Sequence, residues 1–192
     1  MDPEEALRAQ LYRLLARLLA APPDQTLLDL TAGLGGDDSP LGQGLEGLAR
    51  AAARATPAAA AEEYFDLFIG IGRGELVPYA SFYLTGFLNE RPLARLRGDM
   101  AELGIVRAAE VKEPEDHIAA LCEMMAGLIE GSFGAPAGLA GQRRFFERHI
   151  APWAARFFAD LETARAAVLY VPVGTVGSAF MAIETSAFAM TD

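Results

Sequence analysis

The chain has 192 residues, one cysteine and two histidines, with 26 acidic against 16 basic side chains and a net charge of −10. That length suits one domain with a real hydrophobic core, while a lone cysteine excludes an intrachain disulfide and, with only His117 and His149, leaves too few ligands for a zinc centre of the usual Cys/His type. The acidity disfavours nucleic acid, whose phosphates require a basic surface, and makes a basic partner more natural, although solubility alone also rewards such a balance.

Asp2-Pro3-Glu4-Glu5 has the form of a capping box with proline at the first helical position, and Leu7, Leu11, Leu14, Leu15 and Leu18 follow at helical spacing. The acidic start lacks the basic region of an export signal, so cytoplasmic residence is expected. Pro22-Pro23 ends this first helix. Asp24 caps a shorter second one carrying Leu27, Leu28 and Leu34, before the loop Gly35 to Pro40. Residues 41–55 and 58–69 are rich in Ala, Leu and Glu and predict two more helices, separated at Pro57.

Beyond Gly70 the glycines at 70, 72 and 74 and Pro78 forbid helix, and Tyr79, Phe82 and Tyr83 crowd aromatics after the turn. Gly70-Ile71-Gly72-Arg73-Gly74-Glu75 lacks the third glycine of a dinucleotide loop. It follows a helix rather than a strand and sets Glu75 where a phosphate would lie, so a helix-ending turn is the better account. A helix resumes over 93–103, which Gly104 ends.

Glu113 to Ile129 is the most informative stretch. Pro114 is placed at a first helical position, flanked by Glu113, with Glu115 and Asp116 complementing the helix dipole. Ile118, Leu121, Cys122, Met125, Leu128 and Ile129 form one apolar stripe. Asp116 and Glu123, seven apart, share a second face, and His117 is expected where core meets solvent. A Gly/Pro-rich break spans 131–141, and helices over 142–150 and 153–161 follow around Pro152.

Ala167 to Val173 is apolar and β-branched enough for a short strand. The uncharged run Ala166 to Ile183 raises the question of a membrane span, but Pro172, Gly174, Thr175, Gly177 and Ser178 are expected to break it, the second piece packing Val176, Phe180, Ile183, Ala187 and Met190 on one face. The whole chain, residues 1–192, therefore predicts an all-α, compact single-domain helical bundle without membrane insertion.

Catalytic chemistry has few candidates. Cys122 lies on the core stripe, and Asp116 with His117 forms the only adjacent acid and imidazole, yet consecutive helical residues point about 100° apart. An acid–base enzyme using that pair is the weakest of the functions considered, and no cofactor or metal is expected. Arg143-Arg144-Phe145-Phe146 lies mid-chain, so it reads as a solvated helix face beside core aromatics, not as a twin-arginine signal.

In order along the chain, Tyr64-Phe65-Asp66-Leu67-Phe68-Ile69-Gly70, Pro78-Tyr79-Ala80-Ser81-Phe82-Tyr83 and Glu113-Pro114-Glu115-Asp116-His117-Ile118, with Gln142, Phe145, Phe146, His149, Pro152 and Trp153 later, resemble the TorD/DmsD family of cytoplasmic redox-enzyme maturation chaperones. Ala80, Ile71, Ala120 and Met124 depart from its frequent acid, proline, glutamate and phenylalanine. The resemblance implies a non-enzymatic, TorD-like helical protein that binds the twin-arginine signal peptide or apo form of a molybdopterin oxidoreductase precursor and delays export until cofactor insertion. Its recognition region would map onto Phe68, Tyr79, Ser81, Tyr83, Pro114, Asp116 and His117. Signal arginines would find Asp116, Glu115 or Glu123 by charge-assisted hydrogen bonds, and His117, near 6.5 when unperturbed, would weaken such binding as pH falls. An assembly chaperone holding the mature subunit of a non-exported molybdoenzyme is the runner-up, and the chain admits either a monomer or a domain-swapped dimer.

Overall fold

Prolines and short polar caps set most helix starts. In the computed structural model, which describes residues 2–190, α1 (Pro3–Ala20) begins on its proline, with the Asp2 carboxylate accepting from the Glu4 N–H. Asp24 caps α2 (Gln25–Ala32) through the Leu27 N–H. Ser39 and Thr56 do the same for α3 (Pro40–Ala52) and α4 (Pro57–Tyr64), each with proline next in the chain. Further on come α5 (Ala80–Thr85), α6 (Arg91–Glu102), α7 (Ile118–Glu130), α8 (Leu139–Phe145), α9 (Ala154–Thr163) and α10 (Tyr170–Ala189). α4 and α8 each run on into a π-helical turn, closed by Gly70 N–H to Phe65 C=O and by Ala151 N–H to Phe146 C=O. The fold is all-α, and a single antiparallel bridge, Tyr79 with His117, is the β-type pairing among the described residues.

The chain forms two units, each built from separated stretches: Met1–Ala20 with Pro78–Trp153, and Ala21–Val77 with Ala154–Asp192. In the first unit α7 is the central element and α1 packs along it, with α8 and its π-helical turn also against it. All six stripe residues of α7 are buried, and Ala119, Met124 and Ala126 join them, so the helix is covered on more sides than one stripe requires. Gly131, at φ 81°, ends it with an N–H to the Gly127 carbonyl.

The start of α7 corrects the sequence expectation. Pro114 stands in a turn, and the helix begins at Ile118 with His117 as its N-cap. Residues 116–118 are instead taken by the bridge, in which Asp116 C=O accepts from Ala80 N–H and Ile118 N–H donates to Pro78 C=O. Asp116 and Glu123 therefore do not share a helix face. A long-range pairing has outcompeted the local proline signal.

In the second unit α3 and α9 pack on α10, and α2 packs on α3. No strand forms at 167–173, and the apolar run is not broken: α10 is continuous from Tyr170, with Pro172 in its first turn, where a missing N–H costs nothing. Gly174 and Gly177 are packing devices. A Cβ at 177 would lie 2.1 Å from the Phe158 ring, and one at 174 would lie 2.8 Å from the Phe158 carbonyl oxygen, so α9 approaches α10 over bare backbone. The buried side includes Val176 and Phe180 but turns Ile183 and Met190 outward, using Tyr170, Val173, Met181 and Phe188 instead. No helix among the described residues is long and apolar enough to cross a membrane.

The start of α10 is held by a carboxylate from α4: Glu63 accepts the N–H groups of Val168, Leu169 and Tyr170. Glu75, at the end of the glycine turn, similarly accepts those of Arg165 and Ala166 and is thereby held below the usual carboxylate range. That turn is a structural corner with an occupied carboxylate, as its departure from the phosphate-loop pattern implies.

Candidate functional site

Most of the expected site residues meet in the first unit, around the bridge. Ala80 and Ser81 open α5, and the Asp116 Oδ2 accepts the Ser81 N–H at 2.8 Å while its own carbonyl takes Ala80. Asp116, only 1% exposed, thus satisfies the first two N–H groups of one short helix, one with its carboxylate and one with its carbonyl. His117 serves the next element. Its Nδ1 accepts the Ala119 N–H at 3.1 Å, and its ring meets Tyr79 edge-on at 5.0 Å. Burial pushes its pKa down to about 4 against the opposing charge of Asp116, so it is neutral at physiological pH. The expectation of a titrating, half-exposed His117 is corrected. Asp116 and His117 make no acid–base pair, because each is turned to a different backbone N–H.

From this pivot the chain leads out to an open surface. The Tyr79 hydroxyl donates to Glu113. Glu115 receives Arg97 through Nε and Nη2 at 3.0 and 2.8 Å, with Arg107 at 3.7 Å on its other oxygen. Burial alone would raise the Glu115 carboxyl, but these guanidinium contacts outweigh it and hold it below its usual value. Glu113, Glu115 and Glu123 line a groove of about 390 Å³ together with Met100, Ile105, Met124 and Phe133. Glu123, on α7, remains 68% exposed.

Tyr83 leads in another direction. Its ring packs on Trp153 at 5.3 Å, and the Trp153 indole N–H donates to the His149 carbonyl at 2.9 Å. The His149 Nε2 lies 2.6 Å from Asp99 Oδ2, with Arg148 on the other oxygen at 3.2 Å. Desolvation lowers the His149 pKa despite that carboxylate. His149, Arg148, Arg95 and Asp116 border a crevice of about 20 Å³, room for about one water. This acid–imidazole pair escapes sequence reading because Asp99 and His149 are fifty positions apart. Phe68 belongs to the second unit, where it packs on Tyr64 and Tyr170 at 4.9 and 5.4 Å.

The remaining chemistry is quiet. Burial pushes the Cys122 thiol up to about 12, which makes it an inert core side chain. Among the described residues no group of His, Cys, Asp and Glu is placed to hold a metal ion. Phe145 and Phe146 are buried, while Arg143 and Arg144 lie at the surface beside Glu147 and Glu102.

A family model described as the nitrate reductase delta subunit matches residues 35–159, about two thirds of the chain. This chain belongs to that TorD-like family. Among curated proteins it is similar to the chaperone protein TorD of Vibrio atlanticus, 28% identical over 131 residues, covering 64% of this chain and 61% of that protein. It is also similar to TorD of Vibrio cholerae, 32% identical over 104 residues, covering 50% and 47% of the two chains. The chain thus spans about half to three fifths of the length of these two TorD relatives. A solved structure of a candidate redox enzyme maturation protein from Archaeoglobus fulgidus shares the fold with a TM-score of 0.61 and 21% identity, covering 91% of this chain and 93% of its own. The segment 113–118, inside the matched residues, supplies His117 to the bridge and Glu113 and Glu115 to the lining of the groove.

Proposed function

We propose that this chain is a cytoplasmic, system-specific chaperone that binds the twin-arginine signal peptide, the apo form, or both, of a molybdopterin oxidoreductase precursor and delays its export until the cofactor is inserted. It acts without catalysis. The observation that supports this reading is the position of segment 113–118, which carries the resemblance: its buried half organises two helix starts, and its Glu113 and Glu115 line a largely apolar groove. The recognition residues carried by this reading are Tyr79, Ser81, Tyr83, Pro114, Glu115, Asp116, His117 and Glu123 in the first unit; Phe68 is a separate candidate in the second. Carboxylates at an apolar surface suit a peptide that is basic at one end and apolar along the rest.

The family model's description as a nitrate reductase subunit favours a second reading, in which the chaperone holds the mature part of a molybdoenzyme that is not exported. Calorimetric titration separates the two. The probes are a synthetic twin-arginine signal peptide from a molybdoenzyme encoded beside this gene and the leaderless apo-enzyme. Saturable binding of the signal peptide supports the first reading, binding of the leaderless enzyme alone supports the second, and binding of neither overturns both.

A further inference from the structure

Asp99, on α6, and His149, on the π-helical turn after α8, are absent from the expected recognition region, yet their contact is buried and close, Oδ2 lying 2.6 Å from Nε2. An ionised carboxylate can only accept, so Nε2 carries the imidazole proton and Nδ1 the lone pair. Desolvation, which lowers the His149 pKa, keeps the ring in this neutral form. Arg148 takes the other Asp99 oxygen at 3.2 Å, so that carboxylate is engaged on both sides.

His149 and Asp116 both line the crevice of about 20 Å³, and they are only 5% and 1% exposed. Each keeps one polar atom that no protein group takes among the described residues. For His149 it is Nδ1, since Nε2 is held by Asp99; for Asp116 it is Oδ1, since Oδ2 holds the Ser81 N–H. Two acceptors bordering one small space cannot bond each other. The guanidiniums of Arg148 and Arg95, in the same lining, add donors. A cation there would meet two guanidiniums, and an anion would meet the Asp116 carboxylate. A neutral group that both gives and takes hydrogen bonds suits all four, and the crevice has the volume of one water and the two to four polar partners that a buried water needs.

We propose that the crevice holds one buried water joining Asp116 to His149, and that His149 and Asp99 are positioning residues for the recognition region. Hydrogen bonds then run from the Ser81 N–H through Asp116, the water and His149 to Asp99, tying the start of α5 and the bridge to α6 and the π-helical turn. His149 holds the aromatic side as well, because its carbonyl accepts the Trp153 indole N–H and Trp153 packs on Tyr83. One imidazole thus sets the separation between the Asp116 carboxylate and the Tyr83 ring. The role in recognition rests on the chaperone reading; the water and the hydrogen-bond chain do not.

The test uses the intact protein and two variants. His149→Gln reaches Asp99 but has no acceptor at the Nδ1 place, whereas His149→Asn keeps an oxygen near that place and gives up Asp99. Melting curves establish that each folds. A high-resolution crystal structure of the wild type is expected to show a water bonded to Asp116 and to His149 Nδ1. Nitrogen NMR, simplified because the only other imidazole is His117, is expected to place the His149 proton on Nε2. Hydrogen exchange of the Ser81 amide, read against buried α7 amides such as that of Met125, is expected to quicken about tenfold in His149→Gln and to stay near the wild type in His149→Asn. Calorimetric titration with the signal peptide described above should rank the variants in the same order, the Gln variant weaker. A dry crevice, a proton on Nδ1, or Ser81 exchange that tracks α7 in the folded Gln variant overturns the inference. A wild type that ignores the signal peptide overturns the signal-peptide reading alone, because the water and the Ser81 exchange are read without cargo.

Discussion

Asp116 shows how a carboxylate that resembles a recognition residue can serve the architecture instead. Its carboxylate holds the Ser81 N–H in a fully buried position, so Asp116→Ala leaves that donor unsatisfied and is expected to cost about 1–3 kcal/mol. Asp116→Asn keeps an acceptor there and should recover most of the loss in a urea or thermal melt. Any loss of cargo binding in Asp116→Ala must therefore be read beside its melting curve. His117 carries a pH dependence whose sign follows from burial. In the unfolded chain it takes up a proton below about 6.5, but in the folded protein only near 4. Its contribution is complete above 6.5 and is lost progressively as the pH falls to about 4, on the order of 3 kcal/mol across that window. The lowered His149 acts in the same direction, while Glu115 destabilises only below the ordinary carboxylate range. His117→Asn retains a capping acceptor without titrating, so its melting temperature should fall less steeply than that of the wild type between pH 6.5 and 4.5.

Helices were legible where their signals are local. The caps Asp24, Ser39 and Thr56 act within three residues, and the apolar stripe of α7 is periodic, so both could be read from the chain. The start of α7 could not, because what displaced it is a pairing with residues 78–80, nearly forty positions earlier. The Asp99–His149 contact and the groove are hidden for the same reason, the groove's lining being gathered from Arg13 to Phe133. At α10 the misleading signal was glycine itself, which marks a turn in one context and a close helix crossing in another. Gly177→Ala distinguishes these uses. Alanine is the better helix former by about 1 kcal/mol, so a mere breaker would be stabilised by the change. Against the buried Phe158 ring the added methyl is expected instead to destabilise by about 1–3 kcal/mol, read as a fall in thermal midpoint.

For the whole molecule, the charge of −10 sets the terms of association. A basic peptide should be attracted over a distance that salt shortens, the screening length being about 10 Å at 0.1 M. Cargo affinity measured by calorimetry should therefore fall severalfold between 50 and 300 mM salt, chiefly through the association rate, and an affinity that ignores salt would assign the binding to apolar contact alone. The placement of α1 also bears on how the protein is made. This helix packs along α7, yet residues 21–77 belong to the other unit and are synthesised in between. At ribosomal speeds of about 5–20 residues per second, α1, whose Leu14, Leu15 and Leu18 are buried in the folded protein, waits several seconds for α7. A protein proposed to guard the unfinished chains of others thus leaves an apolar face of its own uncovered for seconds while it is being made.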